Sequence, residues 1–163
     1  MKARLAAACM AVLGALAAQG PARAAECEGD PSAGAVQLVV RVSGLQSARG
    51  QVAVTLYPNV KARFLAPGGK LARVRTRAVA PVTTACFWVR PGAYAVAVYH
   101  DANGNHDYDR NAVGLPVEGF AFSNDPPTRF GLPAFESARF SVGAGGRTLP
   151  VQMRYLRPGD VSR

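Results

Sequence analysis

Apolar and polar residues alternate along this chain in short runs, and no stretch carries the spacing of a convincing helix. Val36 to Ser43 sets Val36, Leu38, Val40 and Val42 against Gln37, Val39, Arg41 and Ser43, the period of a strand with one buried face. Gln51 to Tyr57 repeats the pattern with Val52, Val54 and Leu56 inward, and the two runs read as a long hairpin joined through Gly44 to Gly50. Lys70 to Ala80, Val82 to Val89 and Tyr94 to His100 follow as further strands, the last with Tyr94, Val96 and Val98 toward the core and Ala93, Ala95 and Ala97 on the other face. Phe135 to Val142 and Arg147 to Leu156 close the series around Gly143 to Gly146.

Turn chemistry separates these runs. Pro58 to Gly69 reads as a loop with a helical turn near Lys61 to Leu65, and Arg90-Pro91-Gly92 combines a fixed φ with a residue that accepts positive φ. Residues 101 to 133 form one long polar excursion, and an insertion of that length in a small domain is functional or held by a ligand as a rule. About seven strands in one domain predict an all-β fold, a single antiparallel Greek-key β-sandwich with one long polar loop.

Two features place the chain outside the cytoplasm. Met1 to Ala24 has a basic start at Lys2 and Arg4, an apolar core from Leu5 to Ala18 and a small-x-small sequence at Ala22-Arg23-Ala24, the layout of a cleaved signal peptide. The apolar core is shorter than the roughly 20 residues of a spanning helix. The domain plan is therefore a signal peptide at 1–24, a lead-in at 25–35, the sandwich at 36–157 and a tail at 158–163, with the mature protein periplasmic or secreted and free of a membrane span. Removing residues 1–24 leaves 139 of 163, enough for one domain with its own core. It also leaves Cys27 and Cys86 as the remaining cysteines, and an even pair in an oxidising compartment predicts a disulfide.

The removed segment holds three of the 19 basic residues and none of the ten acids, so the mature chain keeps an excess of six positive charges. That excess favours anionic surfaces in general. Nucleic acid is an unsuitable partner, because no aromatic residues interleave with the basic ones to stack bases. Arg73, Arg75 and Arg77 share one face of their strand; the pattern reads as a solvated, charge-protected edge, with an anion-binding stripe as the alternative.

The most distinctive stretch is Asp101-Ala-Asn103-Gly-Asn105-His106-Asp107-Tyr108-Asp109. Oxygen-bearing side chains at alternate positions suit a hard cation, and counting Asp101 as the first place of an EF-hand-like loop puts Asn103, Asn105, the Asp107 carbonyl and Asp109 at ligand places. Calcium is the ion this pattern suggests. The match is partial: His106 stands where the EF-hand has glycine, Ala112 stands where it has glutamate, and Glu118 completes the shell only if residues 111–117 fold back. The competing reading is a set of Asx turns without an ion. His100, His106, Ser123 and Asn124 flank the loop as a candidate binding surface.

From Gln37 to Tyr155 the chain resembles a bacterial exported family of domains of unknown function, the one numbered 2141. The resemblance is carried by Val42-Ser43-Gly44-Leu45 with Gly50-Gln51-Val52, by Pro91-Gly92-Ala93-Tyr94-Ala95-Val96, and above all by His100-Asp101-Ala102-Asn103-Gly104-Asn105. It continues through Gly114-Leu115-Pro116, Glu118-Gly119, Phe122-Ser123-Asn124 and Phe135-Glu136-Ser137-Ala138. His106 departs from it where glycine is usual, and Arg90 where a second proline is common. The resemblance implies a prealbumin-like sandwich and brings no activity with it.

These features together predict a non-enzymatic exported domain, held by calcium at 101–109, that binds a protein or glycan of the cell envelope through the surface of 101–133. The alternative is a metal-dependent enzyme or enzyme accessory using His100, Asp101, Asp109 and Glu118. A His100–Asp101 dyad is disfavoured, because adjacent strand residues point to opposite faces. Ser123 lacks the glycines of a nucleophile elbow, and no complete set of catalytic roles is present.

Overall fold

Strand β1 (Val36–Ser43) buries Leu38, Val40 and Val42 completely while Gln37 and Arg41 stay exposed, as its alternation requires. It is the middle strand of a three-stranded sheet, with β4 (Val82–Val89) antiparallel on one side and β8 (Arg147–Gln152) parallel on the other. The second sheet runs β3, β2, β5, β6, from Ala72–Arg77 through Gln51–Pro58 and Gly92–Asp101 to Gly119–Phe122. Strand β7 (Phe140–Val142) pairs with the start of β5, in line with β6 at its end. The computed structural model describes residues 26–128 and 132–156; the expected signal peptide at 1–24 and tail at 158–163 lie outside the described residues.

The two sheets face each other across one apolar core. Leu38, Val40, Val42, Phe87, Leu149 and Val151 from the first meet Val52, Val54, Leu56, Val96, Val98 and Phe140 from the second. The all-β sandwich expected from the pattern is therefore present, with eight strands and one parallel pairing, β1 with β8, among otherwise antiparallel neighbours.

Three local expectations are corrected. The runs at 36–43 and 51–57 are not a hairpin, because β1 and β2 lie in different sheets and meet across the core. Alternation fixes which face is buried and leaves the neighbour open; Gly44 and Gly50, both at positive φ, carry the chain from one sheet to the other. The excursion from 101 to 133 is interrupted by β6, an apolar tetrapeptide that pairs with β5. The run from 135 begins with one helical turn, α1 (Phe135–Ala138), before β7.

That helical turn belongs to a third layer. Phe135 and Ala138 pack with Tyr57 and Ala95 on the outer face of the second sheet, joined by Phe64 and Leu65 beside the 3-10 turn at Lys61–Arg63. The first sheet has its own attachment on the outside, since Cys27 and Cys86 form the expected disulfide and the backbone of Glu28 bonds to Cys86 and Trp88.

Candidate functional site

The acidic loop connects two neighbouring strands. Strand β5 ends at Asp101 and β6 begins at Gly119, and Ala97 to His100 pair with Phe122 to Gly119, so the ends of the connection are clamped together. Gly50 lies against this junction: a Cβ there would run into the Asp101 carbonyl, which explains glycine at the approach of β2. Within the connection a smaller turn closes over residues 110–116, where Asn111 N–H donates to the Leu115 carbonyl (2.8 Å).

Asp101 is fully buried on the outer face of the sheet. Its carboxylate accepts from the N–H of Gly104 (2.7 Å) and of His106 (3.0 Å), curling the backbone around it. His106 holds a left-handed φ of 70°, which glycine adopts without strain and histidine does not. Asn103 Oδ1 accepts from Asn105 N–H (3.0 Å), and Asn105 Oδ1 from Asp107 N–H (2.9 Å), two Asx turns in succession. The side-chain amides of Asn103 and Asn105 both donate to the Asp109 carboxylate, at 2.7 Å and 3.0 Å.

Glu118 folds back as the calcium arrangement needs. It is buried, and its two oxygens accept from Ala102 N–H and Asp109 N–H, each at 3.2 Å, so one carboxylate spans the entry and the middle of the loop. Burial first, then the charges of Asp109 and Asp101, push its pKa above the ordinary glutamate value, against the pull of those two N–H donors. Among the described residues, no cationic side chain pairs with Asp101, Asp109 or Glu118; the ion pairs lie elsewhere, Arg139 with Glu136 and Arg154 with Asp125.

The donor set suits a hard cation in chemistry and only partly in geometry. Asp101, Asn103, Asn105, Asp109 and Glu118 are brought together by these bonds, whereas the Asp107 side chain is exposed. Both asparagine amides turn nitrogen toward Asp109, so an ion would require them to rotate and present oxygen. Among the described residues no group of three His, Cys, Asp or Glu side chains is arranged to hold a metal.

The flanking residues divide. His100 is buried inside the sandwich, its Nε2 against the Arg49 carbonyl (2.8 Å) and its Nδ1 against the Tyr155 hydroxyl (2.7 Å). A backbone carbonyl only accepts, so Nε2–H donates to Arg49, while Nδ1 meets the Tyr155 hydroxyl, whose oxygen also accepts from Gln46 N–H (3.1 Å). Ser123 is also fully buried: Val96 N–H donates to its hydroxyl (2.9 Å), which lies 2.5 Å from the Ala138 carbonyl. Neither His100 nor Ser123 reaches a binding surface. Asn124 is exposed and donates to the carbonyls of Ser137 and Arg139, which ties the end of β6 to α1. His106 remains at the surface.

Two neighbours of the loop lie beyond what sequence spacing indicated. Arg75 donates to the His106 carbonyl (2.9 Å) and to the Tyr99 hydroxyl (3.0 Å), and Tyr99 donates to the same carbonyl (2.9 Å). Within the loop, the Tyr108 ring packs at a tilt of 51° against Tyr99 with centroids 5.6 Å apart, and burial raises its phenol well above the usual range. The signal for Tyr99 was its shared face with Asp101 on β5, while Arg75 comes from a distant strand. The expected solvated face of β3 holds at Arg75 and Arg77, which are exposed, and is corrected at Arg73, which is half-buried and donates through Nε to Thr55 Oγ1 (2.8 Å).

A family model described as an uncharacterized protein conserved in bacteria, DUF2141, matches residues 40–149. The chain belongs to this family. The DUF2141 match spans β1 to β8 and takes in the whole 101–118 connection. No curated protein and no solved structure matches the chain.

Proposed function

We propose that this DUF2141 protein is an exported, non-enzymatic β-sandwich module whose 101–118 connection takes up calcium and presents a binding face for a partner or glycan of the cell envelope. The observation that supports it is the cluster of three acids, Asp101, Asp109 and Glu118, two of them buried and none ion-paired among the described residues. Each carboxylate accepts N–H bonds that satisfy its oxygens without neutralising its charge, and a divalent cation would neutralise the three together. Export is supported by the disulfide, which belongs to oxidising compartments. Among the described residues no helix is long and apolar enough to cross a membrane.

The test is the melting temperature of the mature protein in chelator and in millimolar calcium. An ion that binds only the folded state stabilises it by about 2.7 kcal/mol at a hundred times its Kd. The shift should vanish in Asp101→Ala and shrink in Asp109→Ala, while His106→Gly should enlarge it by relieving the left-handed residue. Identical wild-type melting curves in the two conditions, with no ion retained in native mass spectra, would leave the Asx-turn network as the whole account of the loop.

A further inference from the structure

We propose that Arg73 and Arg75, on the outer face of the second sheet, form a binding site for the carboxylates of an acidic polysaccharide. This deepens the envelope-glycan part of the function above and is independent of calcium. Both side chains stand on the edge strand β3, two residues apart and therefore on one face, about 7 Å from each other along the strand. They converge on a single residue. The Arg75 guanidinium donates to the Tyr99 hydroxyl, and the Arg73 guanidinium lies 5.8 Å from the centre of the Tyr99 ring.

Two like charges held against one phenol repel each other, and the usual remedy is a carboxylate between them. None is present. Among the described residues the ion pairs involve Arg139 and Arg154, and neither Arg73, Arg75 nor their neighbour Arg77 has an acidic partner. The partners they do have are neutral: Thr55 Oγ1 for Arg73, and the Tyr99 hydroxyl and His106 carbonyl for Arg75. Arg73 also sits close to Tyr57, where burial raises the phenol and the guanidinium charge opposes the rise.

Those neutral bonds have a consequence for binding. Arg73 is fixed to the sheet through Nε and keeps its terminal nitrogens as a fork, while Arg75 spends one terminal nitrogen on Tyr99 and the His106 carbonyl and keeps Nε and the other terminal nitrogen as separate donors, so both are oriented before a ligand arrives. A planar, doubly accepting carboxylate matches that fork better than a round ion does. The floor between the arginines and Tyr99 is Ala53 and Thr55, small residues paired directly with Arg75 and Arg73 in the sheet. Tyr99 itself is buried beneath Arg73 and Tyr108, so it positions the two guanidiniums and leaves the contact to the carboxylates of the polymer. Repeated carboxylates on an extended polymer can also reach Arg77, one place further along the same face, which a single small anion cannot.

The experiment is titration of the mature protein, in chelator, with polygalacturonate, with neutral dextran and with poly-glutamate. Wild type should bind polygalacturonate and ignore dextran. Arg73→Gln with Arg75→Gln should weaken it by about ten-fold or more, the scale of losing charge-assisted hydrogen bonds. Arg73→Lys with Arg75→Lys, which keeps the charge and loses the fork, should also weaken it several-fold. Arg41→Gln with Arg90→Gln removes equal charge elsewhere and should stay within about two-fold. Circular dichroism and melting curves confirm that each variant is folded.

Equal losses in the two Gln pairs would show a general effect of net charge and overturn the site, as would absence of binding by wild type. Poly-glutamate binding as tightly, with the same dependence on Arg73 and Arg75, would overturn the polysaccharide and assign an acidic peptide. Because calcium is absent throughout, a negative calcium result leaves this test unaffected, and a negative result here leaves the loop reading intact.

Discussion

The outer faces of the two sheets are built in opposite ways. On the first sheet, Gln37, Arg41, Thr84, Thr148, Pro150 and Gln152 are exposed, and the face is held at one point by the bond between Cys86 and Cys27. On the second, Ala53, Thr55, Tyr57 and Ala95 are buried beneath Phe64, Phe135, the arginines of β3 and the 101–118 connection. One face needs a covalent staple because little packs on it; the other carries a layer of its own, and every candidate site residue that gathers outside the core lies there. A sheet whose outer face carries a layer of its own can use that cover for binding.

The staple should have the largest effect on stability. Cys27→Ala with Cys86→Ala frees a closed segment spanning 59 positions, and the loop-entropy model puts the loss at about 4 kcal/mol. Urea titration of the double variant against the oxidised wild type measures it. A loss below about 1 kcal/mol would mean that the lead-in is held by its backbone bonds to Cys86 and Trp88, and that the first face needs no covalent support.

The contrast between the faces also accounts for what the sequence could reveal. Strands β1 and β8 alternate because one side meets the core and the other meets water, and both were legible. Strand β6, Gly119–Phe122, is buried at every position, so it carried no alternation and was hidden inside a polar stretch. In α1, Phe135 and Ala138 are the buried pair, but one turn is too short to display a helical period, and the run passed for a strand. The loop was readable in part: Asp101, Asn103, Asn105, Asp109 and Glu118 are local in sequence, or near enough for spacing to suggest their meeting. Arg75 and Tyr99 were not, since β3 reaches β5 only by pairing on the two sides of β2, a contact that alternation leaves unspecified.

The next effect in size separates the two faces directly. Phe135→Ala empties the centre of the outer cluster on the second sheet and should cost about 3 kcal/mol, the usual scale for deleting a buried ring. Thr148→Ala, on the exposed face of β8, should change stability by less than about 0.5 kcal/mol. Equal effects in denaturant titrations would mean that the third layer is a loose cover, with the core between the sheets sufficient by itself.

The smallest effect lies in the acidity of the connection and sharpens the comparison at its chemical end. Glu118 has a folded pKa above its unfolded one, first because it is buried and then because Asp109 and Asp101 are near. A carboxyl raised in this way binds its proton more tightly in the folded state. Its charge therefore opposes folding above the folded pKa, and that opposition is relieved as pH falls through the folded pKa toward the unfolded value. In chelator, acidification from neutral pH should accordingly stabilise the protein through this group, against the ordinary destabilisation of carboxylates that are favoured when charged. Calcium should reverse the sign, because a proton on Glu118 competes with the ion for the same oxygens. The melting-temperature gain from calcium should therefore shrink as pH falls, and Glu118→Gln should remove most of that dependence along with most of the gain. A calcium shift that is the same near pH 7 and near pH 5 would exclude Glu118 from the ion's shell and leave its two backbone bonds as its whole role.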